Sequence, residues 1–256
     1  MTPQEMGATL AEARRDGRKL SDYPGPKPTD MDAAQAVQDA MTAAMGLPVL
    51  GWKVGLTAKK AQEICGVDAP LAGPVFEIAE SGVEWPLLEG DLGVIEAEIG
   101  FRMRADLPPR DAEYARAEVL AAVGTVLPVF EWVNKRLPGG LREAAEWLLA
   151  DGVVHRGLIA GAERAYAPDM DMAAETVRVS VNGTEATRGA GAAALGDPAE
   201  VLVWLANALN RQGKGLCAGQ VIATGLICDV VEAVPGAEIV AEYATLGRNR
   251  LSIKGL

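Results

Sequence analysis

The chain contains a single histidine, His155. That count rules out a histidine-rich metal site and weakens every mechanism that needs a histidine base. Cysteine is almost as scarce. Cys65, Cys217 and Cys228 are odd in number, scattered and set among apolar residues, which reads as reduced thiols in a cytoplasmic protein and not as a disulfide framework. Basic runs are missing altogether, and the formal net charge is −11. No nucleic-acid partner and no anionic membrane surface is therefore expected. No apolar stretch nears the roughly 20 residues that span a bilayer. The opening segment, MTPQEMGATLAEARRDGRK, has no apolar core of the signal-peptide kind. What is present is ordinary for a globular chain. The 256 residues are 49% apolar, enough for one large domain or two small ones with a substantial core.

The most informative stretch is GVIEAEIGF, Gly93 to Phe101. It reads as a β-strand. Alternate side chains of a strand point to opposite faces, so Glu96 and Glu98 share one face while Ile95, Ala97, Ile99 and Phe101 take the other. Two acids side by side in so apolar a strand repel each other and cost desolvation if buried. A bound cation relieves both costs. Glu131, in VLPVFEWV, is a third acid in a similar setting, and a three-carboxylate site suits Mg²⁺, Mn²⁺ or Ca²⁺ better than softer metals. The alternative is a solvated polar face on an antiparallel strand.

The rest of the chain reads in order. Thr2-Pro3-Gln4-Glu5 has the form of a capped helix start, and that helix runs to about Asp16. A proline-rich connector, SDYPGPKP, leads to a second helix capped by Thr29 or Asp30 and ended by Gly46. Residues 1–46 thus form a helical arm, and residues 47–256 a mainly β body that carries the chemistry. VLGWKVGLT is strand-like, with Gly51 and Gly55 around Lys53. A short helix, AKKAQEIC, follows. Gly66 to Phe76 reads as a loop dense in Gly and Pro, and Glu84 to Asp91 as another. A helix is expected over Asp111 to Val123, a strand over Val126 to Asn134, a flexible LPGG with a short helix after it, and strand-like residues beyond Asp151. VRVSVNGTEATRG predicts a hairpin turning at Asn182-Gly183. Asp197 opens the longest amphipathic helix, PAEVLVWLANALNRQ, and short strands close the chain as a β-roll or sandwich.

Six stretches together resemble one family: GWKVGLT (51–57), GVDAPLAG (66–73), IEAEIGF (95–101), LPVFEWVNKR (127–136), GAGAAALGDP (189–198) and GQVIATG (219–225). The chain is similar to the fumarylacetoacetate hydrolase-like superfamily, and within it to the group of 2-hydroxypenta-2,4-dienoate (2-keto-4-pentenoate) hydratases and 4-oxalocrotonate decarboxylases. The resemblance runs from about Thr29 to the C-terminus. It implies an α+β fold, a mixed β-roll behind the helical arm, with Mg²⁺ or Mn²⁺ on Glu96, Glu98 and Glu131. A 2-oxo acid would fill the open coordination positions, and the metal would act as a Lewis acid on the enolate formed when an α-proton or CO₂ leaves. The family pattern also implies that Lys53 pairs with the substrate carboxylate or assists proton transfer. It places Thr224 and Gly225 beside that carboxylate, and Gly189 and Gly191 in a small-residue loop next to the pocket. Asp151 matches the acid of an A-D-N stretch. Relatives of this kind assemble, so a homo-oligomer or a companion hydratase or decarboxylase is an expected partner, alongside the small 2-oxo acid itself.

Several positions depart from the family pattern. Where the hydratases carry an acid in the loop after the first strand, this chain has Leu71, which cannot shuttle a proton but can dry a site and favour loss of a carboxylate. Gly152 and Val154 replace an amide and a small polar residue, and Asp197 stands where relatives often have histidine. His155 has no counterpart and reads as a satisfied structural residue. The expected activity is that of a metal-dependent lyase, tilted by Leu71 and the GAGAAALG stretch together toward decarboxylation over hydration. A C–C bond hydrolase is disfavoured because residues 66–91 contain no histidine. A non-catalytic partner subunit is the reading outside enzymology.

Overall fold

Thr2 begins the first helix by accepting the Glu5 amide at 3.2 Å, while the Glu5 carboxylate takes the Thr2 amide at 2.7 Å. In the computed structural model, which describes residues 1–88, 91–139 and 143–255, this helix is α1, Pro3–Arg15. Helix α2, Met31–Met45, starts on Asp30, whose carboxylate takes the Ala33 amide at 2.8 Å, and stops at Gly46 with φ 64°. The two helices cross closely at Gly7, where an added Cβ would sit 2.5 Å from the Met41 amide nitrogen. Met6, Leu10, Val37 and Met41 share one buried cluster with Phe76, Leu137 and Trp147 of the body.

The β-strands are β1 Gly51–Gly55, β2 Leu71–Val75, β3 Ile78–Glu80, β4 Val83–Pro86, β5 Val94–Met103, β6 Val123–Val133 and β7 His155–Ala160. They continue as β8 Arg164–Ala165, β9 Thr176–Val181, β10 Thr184–Ala190, β11 Val221–Leu226, β12 Val231–Glu232, β13 Glu238–Tyr243 and β14 Gly247–Lys254. The remaining helices are α3 Lys59–Cys65, α4 Arg116–Ala121, α5 Ala145–Ala150 and α6 Pro198–Arg211. One mixed sheet runs β2-β1-β11-β5-β6-β7-β3, with β12 added to β5 and β8 to β6. The second runs β10-β9-β13-β14-β4. The α+β expectation holds. So does the hairpin: Asn182 (φ 50°) and Gly183 (φ 79°) both adopt the positive φ of a type I′ turn. Ile95, Ala97, Ile99 and Phe101 are all buried on the face opposite the glutamates.

Three expectations fail for identifiable reasons. The loop over Gly66 to Phe76 contains strand β2. Its Pro74 is tolerated because β2 is the edge of the sheet, and Gly73 is required because a Cβ there would fall 2.0 Å from the Gly152 carbonyl oxygen. The loop over Glu84 to Asp91 begins as strand β4. Its residues 89 and 90 lie outside the described residues, as does Gly140 of LPGG. The helix expected over Asp111 to Val123 shrinks to α4, Arg116–Ala121. Here α6 supplies what a helix would have supplied: Asn207 accepts the Tyr114 amide at 2.7 Å and donates to its carbonyl at 3.1 Å, and Asn210 accepts the Arg110 amide. With these backbone groups satisfied by side chains, the segment has no need to coil.

Candidate metal centre and active-site cavity

Strands β5 and β6 pair antiparallel with Glu96 directly opposite Glu131. Glu98, two residues along β5, projects from the same face. One carboxylate oxygen from each of the three lies within 4.8 Å of the others. Glu98 and Glu131 are fully buried, and Glu96 is partly exposed. Like charges directly opposite on a sheet are destabilising, and these are poorly served by hydrogen bonds. Glu98 Oε2 accepts the Gly225 amide at 2.7 Å, but Glu98 Oε1 and both oxygens of Glu131 accept no hydrogen bond from the described residues. Glu131 Oε1 does lie 2.7 Å from Lys53 Nζ. That ion pair is close but off hydrogen-bond angle, so it supplies charge without serving the carboxylate's lone pairs. Three converging carboxylates with orphaned buried oxygens fit a hard dication.

The electrostatics follow from this crowding. Burial, reinforced by the charge of Glu131, raises the Glu96 carboxyl to about 7. Burial, with Glu131 and Glu96 adding to it, holds Glu98 well above the usual carboxylate range. For Lys53 burial acts downward, but the combined pull of Glu131, Glu96 and Glu98 outweighs it and the net shift is upward. Lys53 is therefore a buried, charged ammonium, held between Glu131 and the Val153 carbonyl at 3.0 Å. Tyr243, from the second sheet, fixes β5 at this point by donating to the Glu98 carbonyl at 2.7 Å.

Lys53 and Glu96 line a cavity of about 510 Å³. Its walls are mostly apolar, with Leu56, Leu148, Val153, Val154, Leu226 and Ile227 among them, and Arg188 and Asp229 add charge. A separate cavity of about 420 Å³ beside Arg14, Arg136 and Arg156 contains none of the three carboxylates, so the chemistry belongs to the first. Backbone strain concentrates there too. Leu56 (φ 57°), Val153 (φ 59°) and Val154 (φ 50°) hold left-handed conformations. For β-branched residues these are true outliers, at ~1–3 kcal/mol each.

The structure sorts the residues singled out in the sequence. Glu96, Glu98, Glu131 and Lys53 come together. Gly225 (φ 94°) joins them through its amide, and a Cβ there would strike Thr57 Oγ1 at 2.3 Å. Thr224 is buried with its hydroxyl donating to the Ile99 carbonyl at 2.6 Å. Leu71 packs with Ala34, Leu148, Leu149 and Val153 and is not among the residues lining the cavity. Asp151 is bound to Arg136, with Nε to Oδ1 at 2.7 Å, and likewise does not line it. Gly189 and Gly191 permit close approach of protein backbone. An added Cβ would lie 1.9 Å from the Ile227 and Met172 carbonyl oxygens respectively. Arg136 closes the LPVFEWVNKR stretch, but nothing in the residue pattern pointed to its role in organising the segment beyond Asp151, or to the left-handed valines. Only Gly152, at φ 68°, hinted at that turn. His155 is buried with both ring nitrogens engaged, as a structural histidine should be.

A stability signature follows. Carboxyls raised in the folded state bind protons that the unfolded chain has released above pH ~4.3. Folding stability of the metal-free protein therefore falls as pH rises from that value through about 7, the range reached by Glu96. A dication takes the place of those protons. The melting-temperature gain on adding Mg²⁺ in place of EDTA is thus expected to be larger at pH 8 than at pH 5.5. Equal gains at both pH values would count against these carboxylates as the ligands.

Comparison with known proteins places this architecture. Residues 73–254 match the family model described as fumarylacetoacetate (FAA) hydrolase C-terminal. The chain is 31% identical to a 2-keto-4-pentenoate hydratase of Paraburkholderia xenovorans (strain LB400), over 92% of this chain and 90% of that protein. It is 32% identical to a 4-oxalocrotonate decarboxylase of Pseudomonas sp. (strain CF600), over 88% of this chain and 85% of that one. The structure superposes on the 4-oxalocrotonate decarboxylase from Pseudomonas putida G7, solved in complex with magnesium and adipate. The TM-score is 0.87 at 26% identity, covering 98% of this chain and 97% of the other. With the sequence match, the shared fold and the carboxylate cluster in agreement, the chain belongs to the fumarylacetoacetate hydrolase family.

Proposed function

We propose that this protein is a divalent-metal-dependent lyase acting on a short unsaturated 2-oxo acid, with decarboxylation of the 4-oxalocrotonate type as its reaction. The observation that carries the reading is the orphaned cluster of Glu96, Glu98 and Glu131 beside a buried, charged Lys53. These glutamates would hold Mg²⁺ or Mn²⁺, the group whose Lewis acidity stabilises negative charge developing on a 2-oxo acid. Lys53 faces the cavity as a fixed positive charge and is suited to pair with the substrate carboxylate. The Gly225 amide and the Tyr243 hydroxyl keep Glu98 aimed at its task. The apolar walls exclude water, which favours loss of a carboxylate over addition of water. Relatives named as decarboxylase and as hydratase both support the lyase class. Hydration of a 2-hydroxypenta-2,4-dienoate is the second reading.

The test is turnover of purified protein with Mg²⁺ on 2-oxo-3-hexenedioate and, separately, on 2-hydroxypenta-2,4-dienoate. Release of CO₂ from the first, abolished by EDTA, is the expected result. Loss of dienol absorbance from the second, without CO₂, would make the protein a hydratase. No turnover of either, with metal bound, would overturn the proposal.

A further inference from the structure

Residues 151–155 pass between the cavity and the helical arm, and every carbonyl in the segment has its own donor. Arg136 Nη2 serves Asp151 at 2.7 Å and Arg136 Nη1 serves His155 at 2.7 Å. The His155 ring, through Nδ1, serves the Gly152 carbonyl at 2.9 Å. The Asn134 amide serves Val154 at 2.9 Å. The remaining carbonyl, Val153, is served by Lys53 Nζ. Gly152, Val153 and Val154 are left-handed in succession, at φ 68°, 59° and 50°. Two valines do not hold that conformation by themselves. The surrounding donors hold it for them.

We propose that this left-handed turn is a positioning device, in which Arg136 and His155 hold the Val153 carbonyl against the Lys53 ammonium and so fix that ammonium beside Glu131. Arg14 extends the device into the helical arm. Its Nη2 lies 3.0 Å from His155 Nε2. A guanidinium can only donate, so Nε2 accepts and the proton sits on Nδ1, where the Gly152 carbonyl requires it. Burial, with Arg14, Lys53 and Arg136 nearby, keeps the ring neutral. The single histidine of the chain thus acts at one remove from the chemistry. Its hydrogen bond shapes the wall that places the lysine.

The inference rests on Lys53 taking part in the reaction, and its test separates the two. His155→Leu removes the donor to Gly152 and leaves the metal ligands untouched. At a temperature where the variant is folded by circular dichroism, kcat falls about tenfold or more, while Mg²⁺ affinity stays within about twofold. Adding Val154→Gly restores kcat, because glycine holds the left-handed conformation without the clamp. In a Lys53→Met background, His155→Leu costs nothing further. An unchanged kcat in folded His155→Leu, or losses that simply add to those of Lys53→Met, would overturn the proposal. Should His155→Leu fail to fold, Arg14→Met loosens the same ring from outside and gives a smaller loss of the same kind; no loss overturns the proposal. If wild-type protein turns over neither substrate, the functional reading fails, and amidination of Lys53 followed by peptide mass spectrometry still tests the clamp. Labelling is faster in His155→Leu if the turn fixes the amine, and equal rates overturn it.

Discussion

Glu98→Gln is expected to abolish turnover and at the same time to raise the melting temperature of the metal-free protein. The two effects have one cause. Glu98 is fully buried, and its Oε1 has no hydrogen-bond partner among the described residues. Its carboxyl is held well above the usual range by burial and by the charges of Glu131 and Glu96. Folding with this group ionised and no cation present is costly, and the neutral isostere avoids the cost. Glutamine keeps an oxygen for the Gly225 amide, so the local geometry survives. At pH 8, where the cost of ionising the buried group is fully felt, the metal-free variant should melt at a higher temperature than the wild type. Mg²⁺ affinity should fall about a hundredfold, the upper end of what even outer partners of a metal contribute. Differential scanning calorimetry with EDTA, together with titration calorimetry with Mg²⁺, reads both. A variant that is destabilised without metal and still binds it would show that the cluster is structural.

Asp151→Ala is expected to destabilise the fold severely. Asp151 and Arg136 are both buried, at 0% and 3% exposure. The Asp151 carboxylate accepts from Arg136 twice, from Nε to Oδ1 at 2.7 Å and from the backbone amide to Oδ2 at 2.9 Å. Removing the carboxylate strands a guanidinium in the interior, which costs ~3–5 kcal/mol. For a chain of this size that is about 10 °C or more. Chemical denaturation measures it directly. Asp151→Asn keeps the shape and one acceptor for the Arg136 amide, so it should lose less. A catalytic Asp151 would behave in the opposite way, with normal stability and lost turnover in both variants.

How much of this could be read from the residues depends on the range of the interaction. The shared face of Glu96 and Glu98 follows from the two-residue period of a strand, and nothing distant was needed to see it. Their union with Glu131 depends on the register of β5 against β6, which places Glu131 opposite Glu96 and has no local signature. The caps of α1, α2 and α6 were legible because a cap is a short-range hydrogen bond. The excess helix before Arg116 and the missed strand β2 share an explanation. In each, a partner distant in sequence decides the conformation, Asn207 and Asn210 for the one and the paired strand β1 for the other. Lys53 was visible through its flanking glycines. The turn that holds it was not, because its valines favour extended backbone and only Arg136, His155 and Asn134 impose otherwise.

The order of strands also sets when the site can exist. Lys53 sits on β1, and Glu96, Glu98 and Glu131 sit on β5 and β6. The strand between them, β11, comes from residues 221–226 near the far end of the sequence. A chain emerging from the ribosome has all three carboxylates and the lysine long before β11 arrives to bridge them. Until it does, β1 has no neighbour on that side, Glu98 lacks the Gly225 amide, and Lys53 has no fixed distance to Glu131. If these carboxylates hold the ion as proposed, tight metal uptake would report the arrival of β11, and a nascent chain would not acquire its charge-neutralising ion before then.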